Sequence, residues 1–138
     1  MTREELVALA AEARRRAYAP YSHFLVGAAL LTKDGRVYTG CNIENAAYSA
    51  TVCAERTALF QAVCAGERNF ASIAVVGGLE GQKPGFAPPC GVCRQVMAEF
   101  CDADFLIYLW DGARCETHTL GQLLPVGFSA DSLKGEAT

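Results

Sequence analysis

The chain has 138 residues, of which 51% are hydrophobic, and twelve basic against fifteen acidic side chains leave a net charge of −3. That size and apolar fraction predict one folded domain over residues 1–138 and exclude a disordered chain. No basic run exceeds Arg14-Arg15-Arg16, which argues against a nucleic-acid partner, and the longest uncharged stretch, the sixteen residues Ala17 to Thr32, is too short and too interrupted to cross a membrane.

Thr2 and Glu5 have capping-box spacing, and Leu6, Leu9, Ala10, Ala13 and Ala17 then recur with helical period until Pro20. Leu25 to Thr32 is nearly all apolar, Asp34-Gly35 offers a two-residue hairpin turn, and Val37 to Ile43 alternates, so a strand pair with a buried first strand is expected. Thr51 precedes a second helix with an Ala54, Ala58, Leu59, Ala62, Val63 stripe, stopped by Gly66. A short strand over Ser72 to Val76 leads into a Gly- and Pro-rich loop, Gly77 to Pro89. A third helix follows from about Gly91 to Phe100, then an apolar strand from Phe105 to Trp110. Asp111-Gly112 predicts a tight hairpin, hence an antiparallel final strand, and Thr119 with Gln122 caps a last short helix ended by Pro125. Nine elements in the order α-β-β-α-β-α-β-β-α predict an α/β fold. We expect a three-layer α-β-α sandwich, in which a five-stranded mixed sheet carries helices on both faces. The polar tail after about residue 133 is expected to be flexible.

Seven cysteines is an odd count. Acidic Glu4 and Glu5 stand where a secretory signal would carry its apolar core, so a cytoplasmic chain is expected, with cysteines serving as metal ligands or packed thiols. Cys90-Gly91-Val92-Cys93 is a C-x-x-C pair ahead of one helix, and Cys53 opens the other central helix. Helix N-termini favour thiolates, so two converging starts can present three sulfurs to one Zn²⁺. Three ligands leave a fourth position for water, the arrangement of catalytic rather than structural zinc. A redox pair is the competing reading of C-x-x-C. A closed structural site would need a fourth ligand from Cys41, Cys64, Cys101, Cys115, His23 or His118, of which Cys64 and Cys101 fall at the far ends of their helices. Glu55, two residues beyond Cys53, can move a proton to and from a zinc-activated water, or simply complement the helix dipole. Three thiolates and Zn²⁺ sum to −1, a charge that the guanidinium of Arg56 can offset by donating to sulfur.

With Cys53-Ala54-Glu55-Arg56-Thr57-Ala58 and Pro89-Cys90-Gly91-Val92-Cys93-Arg94-Gln95, the chain resembles the small zinc-dependent cytidine deaminases of pyrimidine salvage. Tyr21-Ser22-His23-Phe24, Cys41-Asn42-Ile43-Glu44-Asn45-Ala46 and Leu123-Leu124-Pro125-Val126-Gly127-Phe128 extend the resemblance over roughly residues 2 to 133. It implies one zinc held by Cys53, Cys90 and Cys93, and attack of a zinc-activated hydroxide on C4 of cytidine or 2′-deoxycytidine with Glu55 as the proton shuttle. Uridine or 2′-deoxyuridine and ammonia would be the products. It further implies ribose contacts from Asn42 and Glu44, ring stacking by Phe24 and a base contact from the Ala54 N–H. The assembly would be a homotetramer in which Ala46, Tyr48 and Phe128 serve sites completed across subunits. Residues 42 and 44 of an extended segment share a face, as two groups gripping one sugar require. Two alternatives remain at this point: a blasticidin-type aminonucleoside deaminase, which the Asn42-Ile43-Glu44-Asn45 segment disfavours, and a non-catalytic zinc-stabilised interaction domain, which Glu55 disfavours.

Overall fold

Strand β1 (Phe24–Thr32) is the strand against which the computed structural model, describing residues 1–135, is assembled. It pairs antiparallel with β2 (Val37–Cys41) on one side and β3 (Phe70–Leu79) on the other. β4 (Leu106–Trp110) adds parallel to β3, and β5 (Cys115–Thr119) antiparallel to β4, giving the order β2-β1-β3-β4-β5. The expected mixed five-stranded sheet and its antiparallel last pair are therefore present.

Strand side chains alternate between faces, and the two apolar sets build two cores. Ala28, Leu30, Ile73, Val75, Ile107 and Leu109 meet Ala54, Ala58, Leu59 and Ala62 of α2 (Ala54–Cys64) together with Cys93 and Met97 of α3 (Gly91–Phe100). Ala29, Ala74 and Val76 face the other way, against Leu6, Val7 and Ala10 of α1 (Arg3–Arg14). Helices thus cover both faces of the sheet. α4 (Leu120–Leu123) carries the complete Thr119–Gln122 capping box, and one short helix not foreseen from the sequence, α5 (Ala130–Leu133), follows it. The flexible tail expected after about residue 133 begins beside α5, and its residues 136–138 lie outside the described residues.

Several boundaries differ from the expectation for tertiary reasons. α1 stops at Arg14 rather than reaching Ala17, because Tyr18 N–H donates to the Asn42 carbonyl and Glu44 N–H to the Tyr18 carbonyl, drawing the chain into a bridge. α2 starts with Cys53, not Thr51, as its N-cap, since Val52 and Ile43 exchange both backbone hydrogen bonds and keep the chain extended. The same bridge leaves β2 ending at Cys41, with Ile43 outside it. The first hairpin closes through Thr32 N–H to the Arg36 carbonyl around Lys33-Asp34-Gly35, one residue longer than expected, with Gly35 at φ +93°. β3 runs on through Gly77 and Gly78 because residues 84–87 lie against it. A Cβ on Gly77 would sit 2.7 Å from the Ala87 side chain, and one on Gly78 3.0 Å from Pro84.

The closest approach lies between α1 and β1, where a Cβ on Gly27 would fall 2.0 Å from the Ala10 carbonyl oxygen and 2.3 Å from the Arg14 nitrogen. Both are helix backbone and cannot swing away. Gly27→Ala should therefore lower stability by at least about 1–3 kcal/mol, the usual cost of overpacking a core. Gly85→Ala, where a Cβ meets nothing within 4 Å, should shift the urea midpoint little. Equal midpoints for the two variants would contradict this helix–sheet contact.

Candidate metal centre and cleft

Cys53 and Cys90 are the N-caps of α2 and α3, and both helices start at the same end of the sheet. β2 and β3 each finish at that end and hand the chain on to a helix, while antiparallel β1 begins there with Phe24. The sulfurs of Cys53 and Cys90 are 3.7 Å apart, those of Cys90 and Cys93 3.5 Å, and all three lie within 4.8 Å of one another. Sulfurs at about 2.3 Å from a tetrahedral zinc are separated by about 3.8 Å, close to the two spacings about Cys90, so the trio suits zinc. Among the described residues it is the one such group of metal-ligating side chains, and neither histidine nor any of the other four cysteines joins it. Burial pushes the Cys101 thiol up to about 12 and raises Cys41 and Cys115, as befits packed, protonated thiols.

The charges at the centre are interdependent. Hydrogen bonding from Cys93, then from Arg56 and Cys90, draws Cys53 down to about 5 against the opposing effect of burial. Cys93, the donor in that pairing and itself buried, is pushed up. Arg56 Nη2 donates to Cys53 Sγ at 3.4 Å, and the Cys93 N–H donates to Cys90 Sγ at 3.4 Å. Next to Cys53, Glu55 is only 5% exposed, and its carboxyl is raised to about 7, chiefly by burial and further by the Cys53 charge. A carboxyl near 7 is poised to take up and release a proton at neutral pH.

Sulfurs and carboxylate open onto a cleft of about 370 Å³. Of the residues singled out from the sequence, Phe24, Asn42, Glu44, Cys53, Ala54, Glu55 and Cys90 line it. Asn42 is largely committed to the scaffold: its Oδ1 accepts from the Val26 N–H at 2.9 Å and its Nδ2 donates to the Phe24 carbonyl at 2.8 Å. One donor and one acceptor position of that amide remain. Glu44 accepts from the N–H groups of Tyr21 and Ser22 at 3.0 and 3.1 Å and from the Ser22 hydroxyl. The Ser22 hydroxyl above all, with those N–H groups, holds its carboxyl below the ordinary value. Tyr48 lines an adjoining cleft that shares Ser22, Glu44 and Thr51, with its ring edge-on to Tyr21 at 6.3 Å. Ala46 is exposed and Phe128, 58% exposed, lies beside α3; neither lines this chain's own cleft. Ser22, Val26, Thr51, Phe86, Ala87 and Pro88 complete the lining without having been singled out for it. Pro88-Pro89 ahead of Cys90 was the available signal for the last of these.

A mixed α/β sandwich that gathers three cysteine sulfurs at two helix starts, beside a buried carboxyl and an open cleft, defines a catalytic zinc-site protein. The chain belongs to the cytidine and deoxycytidylate deaminase family, whose zinc-binding region matches residues 1–109. It is 52% identical over 131 residues to a cytidine deaminase of Sporosarcina psychrophila, covering 94% of this chain and 93% of the relative. A cytidine deaminase of Halalkalibacterium halodurans is 51% identical over 134 residues, covering 96% and 98% of the two chains. Among solved structures, cytidine deaminase from Burkholderia pseudomallei superposes with a TM-score of 0.86 at 49% identity, covering 93% of this chain and all of the other.

The donor set makes a quantitative expectation. Elemental analysis should find one zinc per chain, and Cys90→Ala should lose most of it. Cys64→Ser, an exposed cysteine at the far end of α2, should keep the full complement. Full zinc in Cys90→Ala, or its loss in Cys64→Ser, would contradict the three-sulfur site.

Proposed function

We propose that the chain, acting as a single domain, hydrolyses cytidine and 2′-deoxycytidine to uridine and 2′-deoxyuridine with release of ammonia. The observation that carries this reading is the buried Glu55 carboxyl, in the first turn of the helix that Cys53 caps, facing a cleft with an aromatic wall. Cys53, Cys90 and Cys93 would hold the zinc, whose chemistry when bound is to make water nucleophilic at neutral pH. Glu55 accepts the proton that the attacking water gives up and delivers it to ring N3. It then transfers the second proton to the departing amino group, so that water is consumed and ammonia leaves. One carboxyl serves both transfers because N3 and the C4 amino group are adjacent in the ring. Phe24 and Ala54 line the cleft, where Phe24 would stack on the pyrimidine and the Ala54 N–H would donate to the base carbonyl.

The sugar end is governed by Glu44 and Asn42. Three of the acceptor positions of Glu44 are occupied by the Tyr21-Ser22 segment, which fixes the carboxylate and leaves it able to accept from a ribose hydroxyl. Asn42 lines the same cleft with one donor and one acceptor position of its amide still unused. Among the described residues Glu44 and Glu55 are the carboxyls of this lining, and no lysine or arginine lines it. That distribution supports a nucleoside over its phosphorylated form, whose negative charge would meet carboxylates. Together with the family membership, these features favour neither a blasticidin-type deaminase nor a non-catalytic zinc domain.

The assembly we propose is a homotetramer, with Ala46, Tyr48 and Phe128 serving sites shared between copies. Its support is the aromatic surface left uncovered in one chain: Tyr48 is 77% exposed and Phe128 58%. We assign the protein to the cytoplasm, where a reducing environment keeps the three sulfurs available to a metal.

Glu55→Gln tests the central residue. The amide keeps the shape but cannot take up a proton, so turnover of cytidine should fall by about 10²–10⁴ or more. Zinc content and thermal stability should stay near wild type, because no metal ligand changes. Near-normal turnover would remove Glu55 from the mechanism, and joint loss of zinc and fold would make it structural.

A further inference from the structure

After α4 the chain makes a sharp turn over residues 123–128. Val126 sits at φ +53°, a region that β-branched residues avoid, and it is fully exposed, so no burial offsets the strain. Gly127 lies so close to Leu124 that a Cβ there would fall 2.9 Å from the leucine side chain. Two consecutive residues of α3 hold this turn at its two ends. Arg94 donates from Nη1 to the Leu123 carbonyl at 2.7 Å and from Nε to the Pro89 carbonyl at 2.8 Å. Gln95 donates from Nε2 to the Phe128 carbonyl at 2.8 Å. A carbonyl can only accept, so the amide nitrogen must be the group that faces it. Pro89 immediately precedes Cys90 and Arg94 immediately follows Cys93, so the clamp and two of the three sulfurs share one helical turn. Neither Arg94 nor Gln95 lines the cleft.

We propose that Gln95 is a positioning residue for the reaction: by holding the Phe128 carbonyl it keeps the strained turn in the shape that presents the Phe128 ring to the cleft of a second copy of the chain. The proposal rests on the reading that Phe128 completes a neighbour's site. The division of labour follows from the geometry. Arg94 fixes the near end of the turn and the backbone before Cys90, so removing the Gln95 contact frees only the far end. A strained segment released at one end relaxes, and the aromatic ring at that end moves with it. Binding of the base should suffer while the metal centre and proton transfer do not.

The test uses the zinc-loaded protein and three variants assayed on cytidine. Gln95→Glu is isosteric but presents a carboxylate, which cannot donate to the carbonyl. Its KM should rise about 3–10-fold, the effect of one lost hydrogen bond, with kcat within about twofold. Zinc content should match wild type, and amide hydrogen exchange at residues 126–128 should accelerate. Gln95→Lys restores a donor and should return KM most of the way. Phe128→Ala is the reference and should also raise KM. If Phe128→Ala raises KM and Gln95→Glu does not, the clamp is refuted while the role of Phe128 stands. If neither raises it, the role of Phe128 fails and the proposal with it. A Gln95→Glu variant that loses zinc or kcat at unchanged KM would make Gln95 structural and would equally overturn the proposal.

Discussion

Everything at the site depends on one requirement: two helices must begin within a few ångströms of each other, sulfur to sulfur. Cys53 and Cys90 can approach to 3.7 Å only because α2 and α3 lie side by side on the same face of the sheet and start at the same end of it. The sheet order enforces that placement. β1, between β2 and β3, turns back through a hairpin to β2, which delivers α2, while β3 on its other flank delivers α3 before the chain crosses to the parallel β4. Small residues let the layers close up, Ala54, Ala58 and Ala62 along α2 and Gly40 beneath it, where a Cβ would strike Thr57 Oγ1 at 2.3 Å. Packing and chemistry are in this sense one problem, since a bulkier α2–β2 contact would also pull the sulfurs apart.

The same convergence sets the electrostatics. Helix N-termini supply partial positive charge to the sulfurs, and Arg56 adds a full one 3.4 Å from Cys53. Without these, three thiolates would hold their metal at net negative charge and blunt its ability to activate water. Glu55 belongs to the first turn of the same helix, so burial beside sulfur and the pull of the N-terminus act on it in opposite directions. Burial dominates, and a carboxyl that would ordinarily be ionised throughout the neutral range is brought near the point where it can both take and give a proton. At the other end of the cleft Glu44 is treated in the opposite way, since hydrogen bonds hold it ionised. Two carboxyls in one cleft are thereby given opposite protonation tendencies by their surroundings.

Much of this was legible from residue spacing, because the carriers are local. Cys90-Gly91-Val92-Cys93 ahead of an amphipathic helix, the Asp111-Gly112 turn and the Thr119–Gln122 box each act within a few residues, and the fold keeps all three hairpin and helix boundaries close to where these signals put them. What escaped was decided by distant contacts. Gly77 and Gly78 read as loop residues, yet they are strand residues made small by the pressure of residues 84–87. Thr51 has the composition of an N-cap, but Val52 pairs with Ile43 and passes the cap to Cys53. The double duty of Asn42, which ties down the backbone of Phe24 and Val26 while facing the cleft, depends on a partner 16 to 18 residues away that no periodicity reveals.

Cys53, Cys90 and Cys93 would hold the metal and leave its fourth position to a light atom, and zinc K-edge X-ray absorption of the purified protein reads that coordination. The predicted spectrum has three sulfur scatterers at about 2.3 Å and one oxygen or nitrogen at about 2.0–2.2 Å. Four sulfurs would describe a closed structural site and would contradict the open position on which the proposed chemistry stands.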